Sequence, residues 1–249
     1  MGLMHFTFKA TGKPVLLLLH GFLGSNNQWD VMVPHFHKFD LLLVELPGHG
    51  SSPSCDAYTI DELAIDIYRI MHSIKVDKIH FVGHSMGGYV GCAFAKAYPK
   101  QLHSLTLINS IAGADTVARK QLRNRAIQLI DRFQDTYVSM AIANLFTESE
   151  HQNYATEIEL MKKQAREINL TSVLAALRAM RDRSSQIDAL QEVNFPICYI
   201  YGDQDTVIDP ELIEKEISKL KVTAHKITAG HMLLITHPMK IIENMYFID

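Results

Sequence analysis

The chain has 249 residues, 47% of them hydrophobic and 20% charged, with a formal net charge of -3; that is enough apolar material for one large α/β domain or two small ones. The charge balance and the scattered basic residues offer no attraction to polyphosphate, so nucleic acid is not an expected partner. Cys55, Cys92 and Cys198 are odd in number and far apart, which suits neither a disulfide framework nor a zinc site, so a reducing, cytoplasmic compartment is expected.

The first segment, "MGLMHFTFKATGK", lacks the apolar region and small-residue cleavage site of a secretory signal, and no apolar run is long enough to span a bilayer. The "MG" start is set aside as a myristoylation signal because Phe6 stands where serine or threonine is needed. Beyond it, "VLLLLH" (15–20), "LLLVEL" (41–46), "KIHFVG" (78–83), "LHSLTLI" (102–108) and "ICYIYG" (197–202) are continuous apolar runs of strand length. Unbroken apolar runs imply parallel strands buried on both faces. Between them Asp61 opens a helical pattern with Leu63, Ile67, Ile70 and Ile74 on one face, and Met86 opens another that closes before Pro99. Alternating strands and helices predict a doubly wound, mostly parallel sheet.

One connection is out of proportion. Almost ninety residues separate Ile108 from Ile197, where a crossover with its helix needs only about a dozen. Ala118, Leu122, Ala126, Leu129 and Phe133 recur at helical spacing, as do Val173, Leu177 and Met180. Residues 112–190 are therefore expected to form a small helical cap inserted into an α/β core of residues 1–111 and 191–249.

The stretch "FVGHSMGGYV" (81–90) sets Ser85 between a strand and a helix. A nucleophile lifted above a strand end needs positive φ, which crowds the turn unless the residues two before and two after are small; Gly83 and Gly87 meet that demand. The turn would also aim the Met86 N–H and the positive end of the following helix at the space above Ser85. The plain alternative is a glycine-rich turn with an idle serine.

A serine hydroxyl needs a base, an orienting acid and a second oxyanion donor. Among 13 histidines, His231 is favoured as base, because it follows Gly230 in a loop after the strand pattern "VTAHKIT" (222–228); His237 and His225 are weaker candidates. The acid should lie past a strand end. The strand ending at Ile108 has only Asn109 and Ser110 at its tip, so "YIYGDQDTVIDP" must supply it, with Asp205 preferred over its rival Asp203 and over Asp209. The second donor is expected at the Phe22 amide, where "LLLLHGFLG" ends a strand and turns, Gly21 permitting close approach.

Together "HGFLG" (20–24), "LPGHGSS" (46–52), "GHSMGG" (83–88), "GDQDTV" (202–207) and "GHMLLITHP" (230–238) resemble the serine hydrolases of the α/β-hydrolase fold, in order and over nearly the whole length. The resemblance implies Ser85 as nucleophile, Asp205 as acid, His231 as base, and the Phe22 and Met86 amides as oxyanion hole. It implies no metal or organic cofactor and a small-molecule ester substrate. Two departures stand out: Glu45 replaces the usual aspartate before "LPGHG", and the short leader predicts abbreviated antiparallel edge strands.

The cap contributes Phe133, Tyr137, Met140, Leu145, Phe146, Met161 and Met180 as candidates to roof the pocket, with Phe133, Tyr137, Met140 and Phe146 the first choices. A carboxylesterase acting on short- to medium-chain esters is the expected activity. The alternatives are a lyase similar to the menaquinone-pathway synthases of this fold, which typically carry arginine where this chain has Tyr89, a carbon–carbon bond hydrolase, and a ligand-binding receptor. For the lyase, Arg178, Arg181 and Arg183 are the candidate contacts to an acidic substrate.

Overall fold

A computed structural model describes residues 4–245; residues 1–3, with the "MG" start, and 246–249 lie outside the described residues. Seven strands form one sheet: β1 (Phe6–Phe8), β2 (Val15–Leu19), β3 (Asp40–Val44), β4 (Ile79–His84), β5 (Leu102–Ile108), β6 (Ile197–Gly202) and β7 (Thr223–Ile227). Their order is β1-β3-β2-β4-β5-β6-β7. All pairs are parallel except β1 with β3. The antiparallel edge is thus a single strand of three residues. β2 and β6 are buried at every position, which is why their sequences show no alternation of apolar and polar residues.

Helix α1 (Ile60–Ser73) begins one residue before Asp61 and is capped by Thr59, in a reciprocal capping box with Glu62. α2 (Met86–Ala97) follows β4 directly, with Ser85 between them. α1 and α2 cover one another, and α2 packs on β4 and β5.

Between β5 and β6 the chain forms five helices: α3 (Val117–Ala143), α4 (Glu148–Asn153), α5 (Ala155–Arg166), α6 (Leu170–Asp182) and α7 (Ile187–Gln191). The two ends of this helical connection are tied together. The Gln186 amide donates to the Ala112 carbonyl, and the Ala112 and Gly113 amides donate to the buried Glu216 carboxylate. Glu216 lies on α8 (Pro210–Leu220), which is followed by β7 and the short α9 (Leu233–Thr236) and α10 (Pro238–Glu243). No helix among the described residues is long and apolar enough to cross a membrane.

The long α3 departs from its sequence pattern. Leu122, Leu129 and Phe133 share a helical stripe, yet each is more than half exposed. The buried positions are Arg123, Ile130, Val138 and Ile142 instead, and the helix breaks at Phe133, where φ is -139° and ψ 38°.

Candidate active site

The loop ends at the C-terminal edge of the sheet converge on Ser85. Ser85 has φ 51° and ψ -116°, a left-handed conformation that a residue with a Cβ enters only at a cost. The surrounding backbone holds it there: the Ser85 amide donates to the Ile108 carbonyl, and the Gly88 amide donates back to the Ser85 carbonyl. A Cβ on Gly83 would come within 2.5 Å of the Gly87 backbone, and one on Gly87 within 2.2 Å of the Leu19 carbonyl oxygen. The glycines two before and two after the serine are therefore demanded by packing, not by their own φ.

Asp205, in the loop after β6, accepts from His231 Nδ1 at 2.7 Å through Oδ2. Its other oxygen accepts from the Val207 and Ile208 amides at 2.7 and 2.9 Å. Burial opposes the charge on Asp205, but His231, the Ile208 amide and Asn109 outweigh it and hold the carboxyl below its ordinary range. Because Nδ1 carries the proton given to Asp205, Nε2 of the neutral imidazole is left with its lone pair. Asp203 accepts from the Thr228 hydroxyl, and Asp209 caps α8. His225 lies within β7, and His237 turns to Thr236. Of the alternatives open in the sequence, only Asp205 and His231 meet.

Ser85 and His231 line one cavity of about 610 Å³. No hydrogen bond joins the Ser85 hydroxyl to the imidazole among the described residues, a common state of such pairs before substrate binds. The loop 20–24 passes directly over the serine, since a Cβ on Gly21 would sit 3.0 Å from Ser85 Cβ and from His84 Nδ1. Among the described residues neither the Phe22 nor the Met86 amide is taken up by an acceptor in the protein. Two buried histidines brace this loop. The Leu23 amide donates to His49 Nε2 and the Leu46 amide to His20 Nε2, while each Nδ1 faces a carbonyl, of Pro47 and Gly21 respectively. Burial pushes His20 down to about 3 and His49 to about 4, so both are neutral at physiological pH. Glu45 serves the neighbouring loop, accepting from the Ser51 amide at 2.7 Å and pairing with His5.

Three positioning groups had no role in the sequence reading. Asn109 Nδ2 donates to Asp205 Oδ2 at 2.9 Å and to the Gly230 carbonyl at 3.3 Å. His84 Nε2 lies 3.1 Å from the His231 carbonyl, to which it donates. Glu150, buried on α4, accepts from the Gly230 amide at 3.1 Å. Only Glu150 left a trace in the sequence, in the capping-box pattern Thr147 to Glu150.

The cavity wall includes Tyr137, Met140, Leu145, Phe146 and Met180. Phe133 is a correction: it lies outside the cavity, 57% exposed, because the break at that residue ends the helical continuity with Tyr137. Met161 is buried on α5 away from the wall. Nor do Arg178, Arg181 and Arg183 line this cavity. Arg181 pairs with Asp182 and Arg183 with Asp115.

A doubly wound sheet that raises a strained serine toward a buried histidine–carboxylate pair defines an α/β hydrolase. The chain belongs to the family described as the α/β hydrolase fold, whose sequence model matches residues 14–238. It is similar to the structure of a thermophilic esterase from Thermogutta terrifontis, with a TM-score of 0.88 and 27% identity, covering 96% of this chain and 90% of that one. It is also similar to Lipase 3 of Moraxella sp. (strain TA144), 24% identical over 247 residues, 91% of this chain and 74% of the relative. A 2-succinyl-6-hydroxy-2,4-cyclohexadiene-1-carboxylate synthase of Salmonella arizonae is 25% identical over 243 residues, 94% of this chain and 93% of the relative.

Proposed function

We propose that the protein is a serine esterase that hydrolyses short- to medium-chain carboxylic esters through an acyl-enzyme on Ser85, with residues 112–190 acting as a cap over the pocket. The observation that carries this reading is the 2.7 Å contact between Asp205 and His231 in the cavity that Ser85 lines. The similarity to an esterase and a lipase supports the same class of reaction.

His231 Nε2 takes the proton of Ser85 as Oγ attacks the ester carbonyl, and a tetrahedral oxyanion forms. The Phe22 and Met86 amides donate to that oxygen, the positive end of α2 adding to them. The imidazolium gives its proton to the departing alcohol as the carbon–oxygen bond breaks, and Asp205 stabilises the cation meanwhile. Water then attacks the acyl-enzyme by the same route, restoring Ser85 and releasing the acid.

The test is initial-rate hydrolysis of p-nitrophenyl esters from acetate to decanoate by the wild type and Ser85→Ala. Turnover that peaks at one chain length and falls by about a million-fold in the variant supports the esterase. Turnover that survives the substitution, or none in the wild type, refutes it and favours the lyase or carbon–carbon hydrolase.

A further inference from the structure

Part of the cavity wall is cationic. Arg119 and Arg123, one turn apart at the start of α3, line it, among apolar neighbours Leu122, Ala126, Leu177 and Met180. From Thr116 to Ile130 the chain carries Arg119, Lys120, Arg123 and Arg125 and no carboxylate. That reverses the acidic bias favoured at a helix N-terminus, where the backbone already presents partial positive charge.

The protein neutralises this charge only in part. Asp115 pairs with both Arg123 Nε and Arg183 Nη1. Arg183 also lies 3.8 Å from the centroid of the Tyr89 ring. Three guanidiniums thus gather around one carboxylate, and Arg119 has no carboxylate partner among the described residues. Arg123 is only 7% exposed, yet its Nη nitrogens meet no acceptor among the described residues. Burial and the neighbouring Arg123 hold the Arg119 guanidinium below its ordinary range, an effect that Asp115 offsets only in part. Tyr89 and Tyr137 lie within electrostatic reach of both arginines and line the same cavity. Cations removed in part or whole from water, as Arg119 and Arg123 are, are stabilised by pairing, and the partner that suits their forks is an anion of planar geometry.

We propose that Arg119 and Arg123 form a seat for a carboxylate carried by the substrate, remote from the bond that is cleaved. The preferred esters then have an apolar middle and one free acid end. The seat rests on the cavity itself; that its ligand is an ester rests on the function proposed above.

Two pairs of probes distinguish which side of the ester carries the acid. Mono-p-nitrophenyl adipate is compared with p-nitrophenyl heptanoate, and 6-acetoxyhexanoate with its methyl ester. The wild type prefers the acid member of one pair in kcat/KM. Arg119→Gln lowers that preference about 10- to 100-fold, the usual worth of charge-assisted hydrogen bonds. Arg119→Lys, which keeps the charge but not the fork, falls between. An acid-to-neutral ratio unchanged by Arg119→Gln in both pairs overturns the seat while leaving the esterase standing. Should no ester be turned over, calorimetric titration with adipate decides: binding by wild type that weakens at least tenfold in Arg119→Gln upholds the seat without the esterase, and equal or absent binding overturns it.

Discussion

Asn109 and His231 share one acceptor, Asp205 Oδ2, at 2.9 and 2.7 Å. Asn109 sits at the tip of β5 with φ 43°, one of the few non-glycine residues in that region, so its backbone as well as its amide is committed to this contact. Asn109→Gly keeps the backbone conformation affordable while deleting the amide. We expect kcat on the best p-nitrophenyl ester to fall about tenfold, with KM little changed, as for the loss of one hydrogen bond to a charged group. An unaltered kcat would reduce Asn109 to a packing residue.

Asp205→Asn poses a sharper question. The Val207 and Ile208 amides hold one oxygen, so the new NH2 must face His231 and force its proton onto Nε2. The base then has no lone pair toward Ser85. A loss of about 10⁴-fold in kcat is expected, with an unchanged circular dichroism spectrum. A decrease of only a few-fold would argue that Asp205 does not set the tautomer.

Glu150 reaches the same histidine from the other side, through the Gly230 amide. Glu150→Ala leaves that buried amide, and the Thr147 amide that the same carboxylate receives, without acceptors. A stability loss of about 1–3 kcal/mol per orphaned amide is the expected scale. Glu150→Gln, with one oxygen left, should lose less. Urea denaturation of the three proteins checks the order.

Gly87→Ala would place a Cβ 2.2 Å from the Leu19 carbonyl oxygen, where neither backbone can yield without moving β2 or α2. We expect insoluble protein or a drop of more than about 3 kcal/mol. A soluble variant with wild-type melting behaviour would contradict the close approach.

Acid should loosen the fold early. His20, His49 and His84 are buried neutral, burial lowering them to about 3, 4 and 3 respectively. In the unfolded chain each titrates near 6.5, so between that pH and about 4 the unfolded state holds more protons. Stability is therefore complete above about pH 6.5 and is lost as pH falls, by up to about 1.4 kcal/mol per pH unit for each histidine. His49→Gln, which keeps an acceptor near the Leu23 amide, should flatten the slope of urea midpoint against pH between 6.5 and 4.5. A midpoint that does not move over that range in the wild type would count against the neutral histidines.

The centre of the sheet was readable because strands such as β2 and β6 are buried on both faces and hence continuously apolar, and Ser85 because its strained φ requires two glycines at fixed offsets. Other features were not readable. Asn109 and Glu150 act on residues 96 and 80 positions away or more, and no local pattern marks such partners. The stripe of Leu122, Leu129 and Phe133 looked like a buried face, yet all three are more than half exposed, Leu122 at the cavity wall, while Arg123, an unpromising core residue by type, is enclosed with Asp115. Hydrophobic period reports a helix; it does not say which side the rest of the fold will cover.

The segment 144–150 continues the helical connection, its first amides bonding back to α3, but it is also bonded to the loops that carry Asp205 and His231. The Asn144 carbonyl accepts from Thr206, the Leu145 carbonyl accepts from the His231 amide, and Glu150 accepts from Gly230. An exchange of this connection for one from a relative, made to alter substrate choice, should therefore transplant α3 with α5 and α6 and leave these seven residues in place. A splice that removes them takes away the scaffold of the histidine along with the helices that line the cavity.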